Sequence, residues 1–278
     1  MRLGAMNCKG FEDPDAWIAE LRRHGYRTSV FPTDLDRPDA DLLRYAAAAK
    51  KADIVIAEVG GWGNPLADSD RGSKEKSLAL AKRALYVADE TGARCAVGIS
   101  GSRGEIWDGP DERNLTSETY EMVVATVREI IDEVKPKRTF YTLEPMPWMY
   151  PCDIETQRSL LRDVDRKAFA VHFDPVNMIT STTLYYQNAS FLRAFIREFG
   201  SLIKACHAKD SFLKTDLTIQ FEERRPGEGK LDYAVYLKEL ERVDTDMPLL
   251  IEHLKKDEDY EAGARSIRET AETEGIQL

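Results

Sequence analysis

The feature that most constrains the fold is a regular alternation of short apolar runs with longer amphipathic ones along all 278 residues. Eight short runs are rich in aliphatic and β-branched side chains and are apolar almost without interruption, which is typical of parallel strands covered on both faces. We therefore predict eight strands. They cover residues 2–6, 28–32, 53–59, 95–100, 139–145, 169–174, 202–208 and 248–253.

Amphipathic segments fill the intervals, with apolar residues at i, i+3, i+4 and i+7 and charge on the opposite face. The first, "DPDAWIAELRRHG" at 13–25, begins with an Asp cap followed by Pro and ends at a Gly, as helices commonly do. The other predicted helices cover 39–51, 74–92, 117–134, 154–165, 188–200, 231–243 and 257–275.

Eight consecutive β/α units without a Pro/Gly/Ser-rich linker predict an α/β protein. The expected architecture is a single (β/α)8 TIM barrel, one domain over residues 1–278. The competing fold is a doubly wound sheet, which would carry a Gly-rich nucleotide-binding turn after its first strand. That turn reads "MNCKGFEDPD" and has no G-x-G-x-x-G, so the sequence favours the barrel.

Composition excludes several classes of partner. A net charge of −10 argues against nucleic acid, because phosphate binding needs clustered Lys and Arg. The apolar runs are far shorter than the roughly 20 residues that cross a bilayer. The first residues lack the apolar segment of a signal peptide, and the four cysteines show neither zinc-binding spacing nor the density of a disulfide scaffold. We expect a cytoplasmic protein with reduced thiols.

The last four predicted strands each end in a potential metal ligand, and in a TIM barrel such strand ends carry the catalytic groups. The four residues are Glu144, Asp174, His207 and Glu252. Each alone is more often a cap or a loop anchor, but four on successive strands favour a metal. Converging carboxylates repel one another and must protonate or share a cation. Three oxygen ligands and one imidazole suit Mn²⁺, with Mg²⁺ or Co²⁺ as alternatives, better than closed zinc.

Period-two alternation sorts the neighbouring side chains. His172 is expected on the side of Asp174, and it is counted with Asn177 among the candidate substrate-binding residues. Cys206 is expected in the layer between barrel and helices, and His253 facing away from Glu252 in a structural position. Glu58 is left open. Lys209 is expected on the face of His207, where it could hold an anionic group, protonate a leaving hydroxyl, or pair with a nearby carboxylate.

Four residues in loops after the third, fourth and fifth strands are candidates for substrate binding. Trp62, Trp107 and Trp148 are placed to stack on the C–H face of a sugar, although a single loop Trp usually serves packing. Arg103 is a candidate for contacting a distal hydroxyl or acidic group.

Five segments, "TLEPMPW", "HFDPVN", "CHAKDS", "RPGEGKLDY" and "LIEHL", resemble the xylose isomerase-like TIM-barrel family. This is the superfamily of sugar phosphate isomerases/epimerases and AP endonuclease 2, which includes inosose dehydratases and endonuclease IV. The resemblance implies that Glu144, Asp174, His207 and Glu252 are the metal ligands. It also implies that Glu144 and Glu252 act as two opposed acid/base groups. The implied activity is that of a divalent-metal-dependent sugar or keto-sugar isomerase/epimerase working through a cis-enediolate.

Departures from the family pattern keep a second function open. Xylose isomerases have Pro-Lys-Pro after the Glu of the fifth strand, whereas Pro-Met-Pro follows Glu144 here. Asn177 stands where 3-epimerases usually have a His that holds the substrate, and it cannot titrate. Lys209, assigned as a third catalytic residue, lies in a "HAKD" motif like that of the inosose-dehydratase branch.

The alternative function is therefore a metal-dependent lyase (dehydratase, decarboxylase or deglycosidase) acting on a 3-keto sugar or inosose. A non-catalytic sugar-binding module is a third class, but it has no need of opposed carboxylates. The expected partner is a small-molecule sugar, with no nucleic acid and no membrane. Self-association or a second subunit is left open.

Overall fold

The computed structural model describes residues 1–67 and 71–278, apart from the side chain of Arg71. It contains ten strands within that range. They are β1 Arg2–Ala5, β2 Thr28–Val30, β3 Val55–Gly60, β4 Cys95–Gly98, β5 Phe140–Leu143, β6 Phe169–Phe173, β7 Ile203–Ala208, β8 Asp210–Leu213, β9 Phe221–Arg224 and β10 Pro248–Ile251.

Eight of these strands form one parallel sheet in the order β1-β10-β7-β6-β5-β4-β3-β2. The first and last strands of this order, β1 and β2, lie next to each other and close the barrel. The N–H of Arg27, just before β2, donates to the carbonyl of Leu3 in β1 at 2.9 Å. A glycine is needed at this closure, since a Cβ on Gly4 would lie 2.1 Å from the carbonyl oxygen of Thr28. The predicted (β/α)8 TIM barrel is confirmed, with all eight predicted strands in place.

Helices surround the barrel between consecutive strands. They are α1 Pro14–Arg23, α2 Asp39–Ala52, α3 Arg71–Thr91, α4 Ser117–Val134, α5 Ile154–Val164, α6 Pro175–Met178, α7 Thr182–Tyr186, α8 Asn188–Phe199, α9 Tyr233–Val243 and α10 Asp257–Thr273, with a 3₁₀ turn at Gly200–Leu202. The eight longer helices match the eight predicted ones. Their ends follow local chemistry. At α1, for example, Asp13 accepts from the N–H of Ala16 and Pro14 takes the first helical position.

The short helices α6 and α7, the 3₁₀ turn and the antiparallel hairpin of β8 and β9 were not predicted from the sequence. No strand was predicted between residues 209 and 230, where the sequence is largely polar. The strands β8 and β9 have four residues each and carry charged side chains, so their period-two pattern is too short and too polar to indicate a sheet. No helix in the described residues is long and apolar enough to cross a membrane.

Alternation along β7 shows how the barrel separates its layers. Ala205 packs in a small cluster inside the barrel, with apolar side chains contributed by five other strands or their ends. Cys206 is buried in the larger core between barrel and helices, as predicted. His207 then points inward again, above the small interior cluster, and this places it among the polar groups at the carboxyl ends of the strands.

Candidate metal centre and active site

Four adjacent barrel strands bring the predicted ligand set together. Glu144 directly follows β5, Asp174 follows β6, His207 lies near the end of β7 and Glu252 follows β10, and these strands are neighbours in the order β10-β7-β6-β5. One ligand atom from each side chain lies within 4.8 Å of all the others, and all four residues are buried. Of these four strands, the two at the ends, β5 and β10, carry the two glutamates. The two in the middle, β6 and β7, carry Asp174 and His207.

His207 is at the centre of this set. Its Nδ1 lies 2.9 Å from Glu252 Oε2, 3.3 Å from Asp174 Oδ2 and 3.4 Å from Glu144 Oε1. Burial lowers the pKa of His207, but the surrounding carboxylates outweigh this effect and raise the pKa well above its usual value. Metal-ligating imidazoles must be deprotonated at the binding nitrogen, so a cation that binds Nδ1 would displace the proton there.

The other ring nitrogen of His207 is fixed from across the barrel. Glu58, on β3, reaches through the interior and accepts from His207 Nε2 at 3.3 Å and from His172 Nε2 at 3.0 Å. All three side chains are fully buried. Burial alone would raise the pKa of Glu58, but the two imidazoles lower it to about 2. A carboxylate behind a ligating His holds the ring orientation and strengthens the ligand.

Asp174 is oriented by the turn that follows β6. Its Oδ1 accepts from the backbone N–H groups of Val176 and Asn177, which makes it the cap of α6, with Pro175 at the first helical position. Its Oδ2 is thereby directed to His207 and to the ammonium of Lys209, 2.8 Å away. Burial raises the pKa of Asp174, but Lys209 and His207 outweigh it and hold the pKa below its usual value.

Two neutral donors hold the carboxylate of Glu144. Trp62 Nε1 donates to Oε2 at 3.0 Å, and Asn177 Nδ2 donates to Oε1 at 3.3 Å. The indole folds back over the end of β3, where a Cβ on Gly60 would lie 1.9 Å from the Trp62 ring. Gly60 is therefore required for this hydrogen bond, and Trp62 orients Glu144 in addition to lining the cavity described below.

Replacing Trp62 by Phe keeps an aromatic ring but removes the donor to Glu144. We expect the Mn²⁺ affinity to fall by about tenfold, the lower end of what loss of a ligand-orienting group costs. Isothermal titration of the metal-free protein measures it. Trp148→Phe is the matched control, because the Trp148 indole donates to the carbonyl of Asp108 rather than to a ligand. Equal affinities in the two variants would contradict the orienting role of Trp62.

The donor set fits a hard divalent cation. Three carboxylates and one imidazole nitrogen are preferred by Mn²⁺ and its neighbours, and all four side chains are buried here. Closed tetrahedral zinc sites use more Cys and His than this centre offers. Glu144, Asp174, His207 and Glu252 are accordingly the residues that would hold the ion.

A cavity of about 670 Å³ opens beside these ligands at the carboxyl ends of the strands. Glu144 and Glu252 line it, and so do the indoles of Trp62 and Trp107. Trp107 is 45% exposed. A cavity of this size, lined by apolar and aromatic side chains together with charged and polar ones, is typical of a small-molecule site.

The remaining predicted substrate-binding residues take other positions. Among the described residues, His172, Asn177, Trp148 and Arg103 are not in the cavity wall. Arg103 turns to α4, where its Nη1 donates to Thr119 Oγ1 at 3.1 Å. His172 lies beneath the ligand set on Glu58, and Asn177 lies behind Glu144.

His253 was predicted to be structural and to face away from Glu252, and this was wrong. Its ring lines the cavity, with Nε2 at 3.6 Å from Glu252 Oε1 and Nδ1 at 3.1 Å from Glu223 Oε2. Alternation fails because β10 ends at Ile251, and His253 has a left-handed backbone with φ of 59°. The Glu223 carboxylate raises the pKa of His253 above its usual value.

Sequence reasoning also missed one wall of the cavity. Asn7, Lys9 and Lys255 line it from the loops after β1 and β10, and Asp257 lines it from the start of α10. Asn7 Nδ2 donates to Asp257 Oδ1 at 3.0 Å. β1 and β10 are neighbours in the barrel. The available signal was position alone, since polar residues directly after barrel strands belong to the active face.

Asp210, the last residue of the "HAKD" motif, binds the loop that contains the "RPGEGK" segment. Its buried carboxylate accepts from the backbone N–H groups of Ser211 and Leu231 at 2.9 Å and of Gly227 at 3.0 Å. Glycine is required at two places in this loop: Gly227 has φ of 92°, and a Cβ on Gly229 would lie 2.2 Å from Asp210 Oδ1. Asp210 thus fixes the loop beside the hairpin that carries Glu223.

Asp210→Ala leaves these buried N–H groups without their acceptor. We expect the free energy of unfolding to fall by about 1–3 kcal/mol, the usual cost of an unsatisfied buried donor. Urea unfolding measures the change. Asp216→Ala, an exposed position in the same hairpin, is the control. An unchanged stability of the Asp210 variant would show that the loop does not depend on this carboxylate.

The sequence matches the family model of the xylose isomerase-like TIM barrel over residues 18–270. The chain belongs to that family. Among curated proteins, none matches this sequence significantly. Solved structures of xylose isomerase-like and related barrels share the fold at low identity.

A 3-keto-D-glucoside 4-epimerase from E. coli is 15% identical, with a TM-score of 0.68 over 98% of this chain and 99% of its own. A xylose isomerase-like TIM barrel protein from Mycobacterium smegmatis, in complex with magnesium, is 14% identical, with a TM-score of 0.69 over 95% and 89%. A probable 3-DHS dehydratase from Bacillus anthracis is 12% identical, with a TM-score of 0.70 over 98% and 99%.

Proposed function

We propose that this protein is a divalent-metal-dependent sugar or keto-sugar isomerase/epimerase that works through a cis-enediolate. The observation that carries the proposal is the placement of Glu144 and Glu252. They come from the outer two of four adjacent strands, both line the cavity, and each directs one oxygen to His207. Two carboxylates on either side of one bound substrate carbon are what an epimerase needs to remove and return a proton.

Glu144, Asp174, His207 and Glu252 would hold the ion, for which we propose Mn²⁺, with Mg²⁺ or Co²⁺ as alternatives. When bound, the ion supplies Lewis acidity, which polarises a substrate carbonyl and acidifies the adjacent C–H. The complex of a related barrel with magnesium supports a divalent ion.

The protein's own groups position and move the proton. One of the two glutamates takes the proton from the substrate carbon, and the other can return one from the opposite side. Trp62 holds the second oxygen of Glu144, and His253 lies beside the second oxygen of Glu252. Both carboxylates are almost fully buried, and the exclusion of water strengthens the electrostatic interactions inside the site.

The substrate class follows from the walls of the cavity and from the relatives. Trp62 and Trp107 offer aromatic faces of the kind that stack on the C–H side of a sugar ring. Barrels of the same fold act on keto-sugars, among them the 3-keto-D-glucoside 4-epimerase. A small-molecule sugar is therefore the proposed substrate. The cytoplasmic location and any oligomer or second subunit stay predictions.

A lyase acting on a 3-keto sugar or inosose is the second candidate. One observation favours it: His253 lines the cavity between Glu252 and Glu223, where it could protonate a leaving group next to the site of proton abstraction. The probable 3-DHS dehydratase among the relatives shows that this fold can carry a dehydratase.

Incubation with Mn²⁺ and a panel of keto-sugars in D₂O separates the two candidates. An isomerase/epimerase is expected to incorporate deuterium at one carbon without loss of any group, as read by NMR and mass spectrometry. Loss of water, carbon dioxide or an aglycone would favour the lyase instead. Binding without exchange or elimination across the panel would contradict both and favour a sugar-binding module.

A further inference from the structure

The ammonium of Lys209 contacts the same oxygen atoms that face His207. Its Nζ lies 2.8 Å from Asp174 Oδ2 and 2.8 Å from Glu252 Oε2. These two oxygens are also the closest carboxylate atoms to His207 Nδ1, at 3.3 and 2.9 Å. A cation bound by Asp174, Glu252 and His207 would therefore share both oxygens with Lys209.

The other polar contacts of the ammonium among the described residues are also with acceptor oxygens. Asn177 Oδ1 lies at 3.4 Å, Glu144 Oε1 at 3.7 Å and Glu223 Oε2 at 3.9 Å. The Lys209 side chain has no exposed surface, and it is not among the described residues of the cavity wall. An ammonium has three donors, and five protein oxygens of the described residues lie 2.8–3.9 Å from this one. Lys209 therefore acts on the ligand carboxylates rather than directly on a substrate in the cavity.

We propose that Lys209 is a fixed counter-cation of the metal ligands, which holds Asp174 and Glu252 in their binding positions and weakens their hold on a divalent ion. A carboxylate oxygen has two lone pairs, so one atom can accept from an ammonium and still bind a metal. The shared oxygen then donates less strongly, and the two cations repel each other in a buried site. The proposal rests on the metal centre of the proposed function but not on the reaction.

Two opposite effects distinguish this role from others. Without Lys209, Asp174, Glu252 and Glu144 repel one another in the metal-free protein, which lowers its stability. A divalent ion would meet a more negative site and bind more tightly. A lysine that serves only for packing, or only orients the ligands, would leave the metal affinity unchanged or reduce it when removed.

Lys209→Met tests the proposal, because it keeps a similar length and removes the charge. We expect Mn²⁺ to bind at least about tenfold more tightly by isothermal titration, since a repelling unit charge is removed from within a few ångströms of the ion. With EDTA present, the variant should have its unfolding midpoint at a lower urea concentration than the wild type. Saturation with Mn²⁺ should remove this difference in midpoint. Lys214→Met, on the hairpin, is the control and should change neither quantity.

Mn²⁺ binding by Lys209→Met that is unchanged or weaker would overturn the proposal. If Lys209→Met does not fold, the double variant Lys209→Met/Glu252→Gln removes a positive and a negative charge together and should fold. Failure of the double variant would also overturn the counter-cation role. A wild type that binds no divalent ion contradicts the metal centre itself. A wild type that binds while Lys209→Met binds no more tightly contradicts only the role of Lys209.

Discussion

Replacing Glu144 or Glu252 by Gln is expected to lower the turnover number by about 10²–10⁴-fold, the usual contribution of a positioned acid/base group. The substrate for this measurement is the keto-sugar of the panel that the wild type converts. The amide keeps the shape of the side chain and can still accept from Trp62 at position 144, but it cannot carry a proton. If the two glutamates act on opposite faces of the substrate carbon, as proposed, each variant should still exchange the C–H proton of one epimer and lose exchange with the other. Deuterium incorporation from D₂O, measured separately for each epimer, reports this.

Metal content decides how such a loss is interpreted, because both glutamates are also proposed ligands. Bound Mn²⁺ should be measured on the same samples, and activities should be compared at saturating metal. Glu105→Gln, an exposed glutamate in the loop that carries Trp107, is the matched control. If either variant loses exchange with both epimers equally while the other keeps full activity, one base serves both faces and the opposed-carboxylate mechanism is wrong.

Removing the central ligands is expected to have the largest effect on metal binding. His207→Gln and Asp174→Asn should each lower Mn²⁺ affinity by more than the roughly 10–100-fold that loss of a supporting group costs, because they remove a ligand atom itself. Glu58→Gln, which weakens only the support behind His207, should fall within that smaller range. Isothermal titration or the electron paramagnetic resonance of free Mn²⁺ gives the three values.

The order of these three affinities distinguishes the residues that bind the metal directly from the one that supports a ligand. If Glu58→Gln lost as much affinity as His207→Gln, Glu58 would act as a ligand rather than as the acceptor behind one. If Asp174→Asn bound Mn²⁺ as tightly as the wild type, the ligand set would be misassigned. Asp210→Asn, next to Lys209 but directed to the RPGEGK loop, should retain wild-type affinity and controls for general damage at this face.

The convergence of the four candidate ligand residues could be predicted because strand ends are visible in the sequence. Glu144, Asp174, His207 and Glu252 each close an apolar run, and parallel strands bring their carboxyl ends to one face. Strand order then made them neighbours, and the structure adds that no other barrel strand separates them.

The surroundings of the ligands could not be predicted in the same way. Trp62 was assigned to stacking, yet its indole donates to Glu144, because Gly60 lets the ring fold back over the strand end. His253 was assigned to the wrong side, because alternation holds only while the backbone stays extended. Loop residues take directions set by turn geometry and by contacts distant in sequence, and periodicity carries no information on either.

By itself, the sequence determined the barrel, its eight strands and helices, and the four residues that converge at its mouth, because each depends on local periodicity and on the common direction of parallel strands. Only the tertiary structure decided what those four residues contact. Glu58 reaches His207 from the opposite side of the barrel, and Lys209 lies against Asp174 and Glu252. Those contacts join strands far apart in the chain, and they form only when the sheet closes.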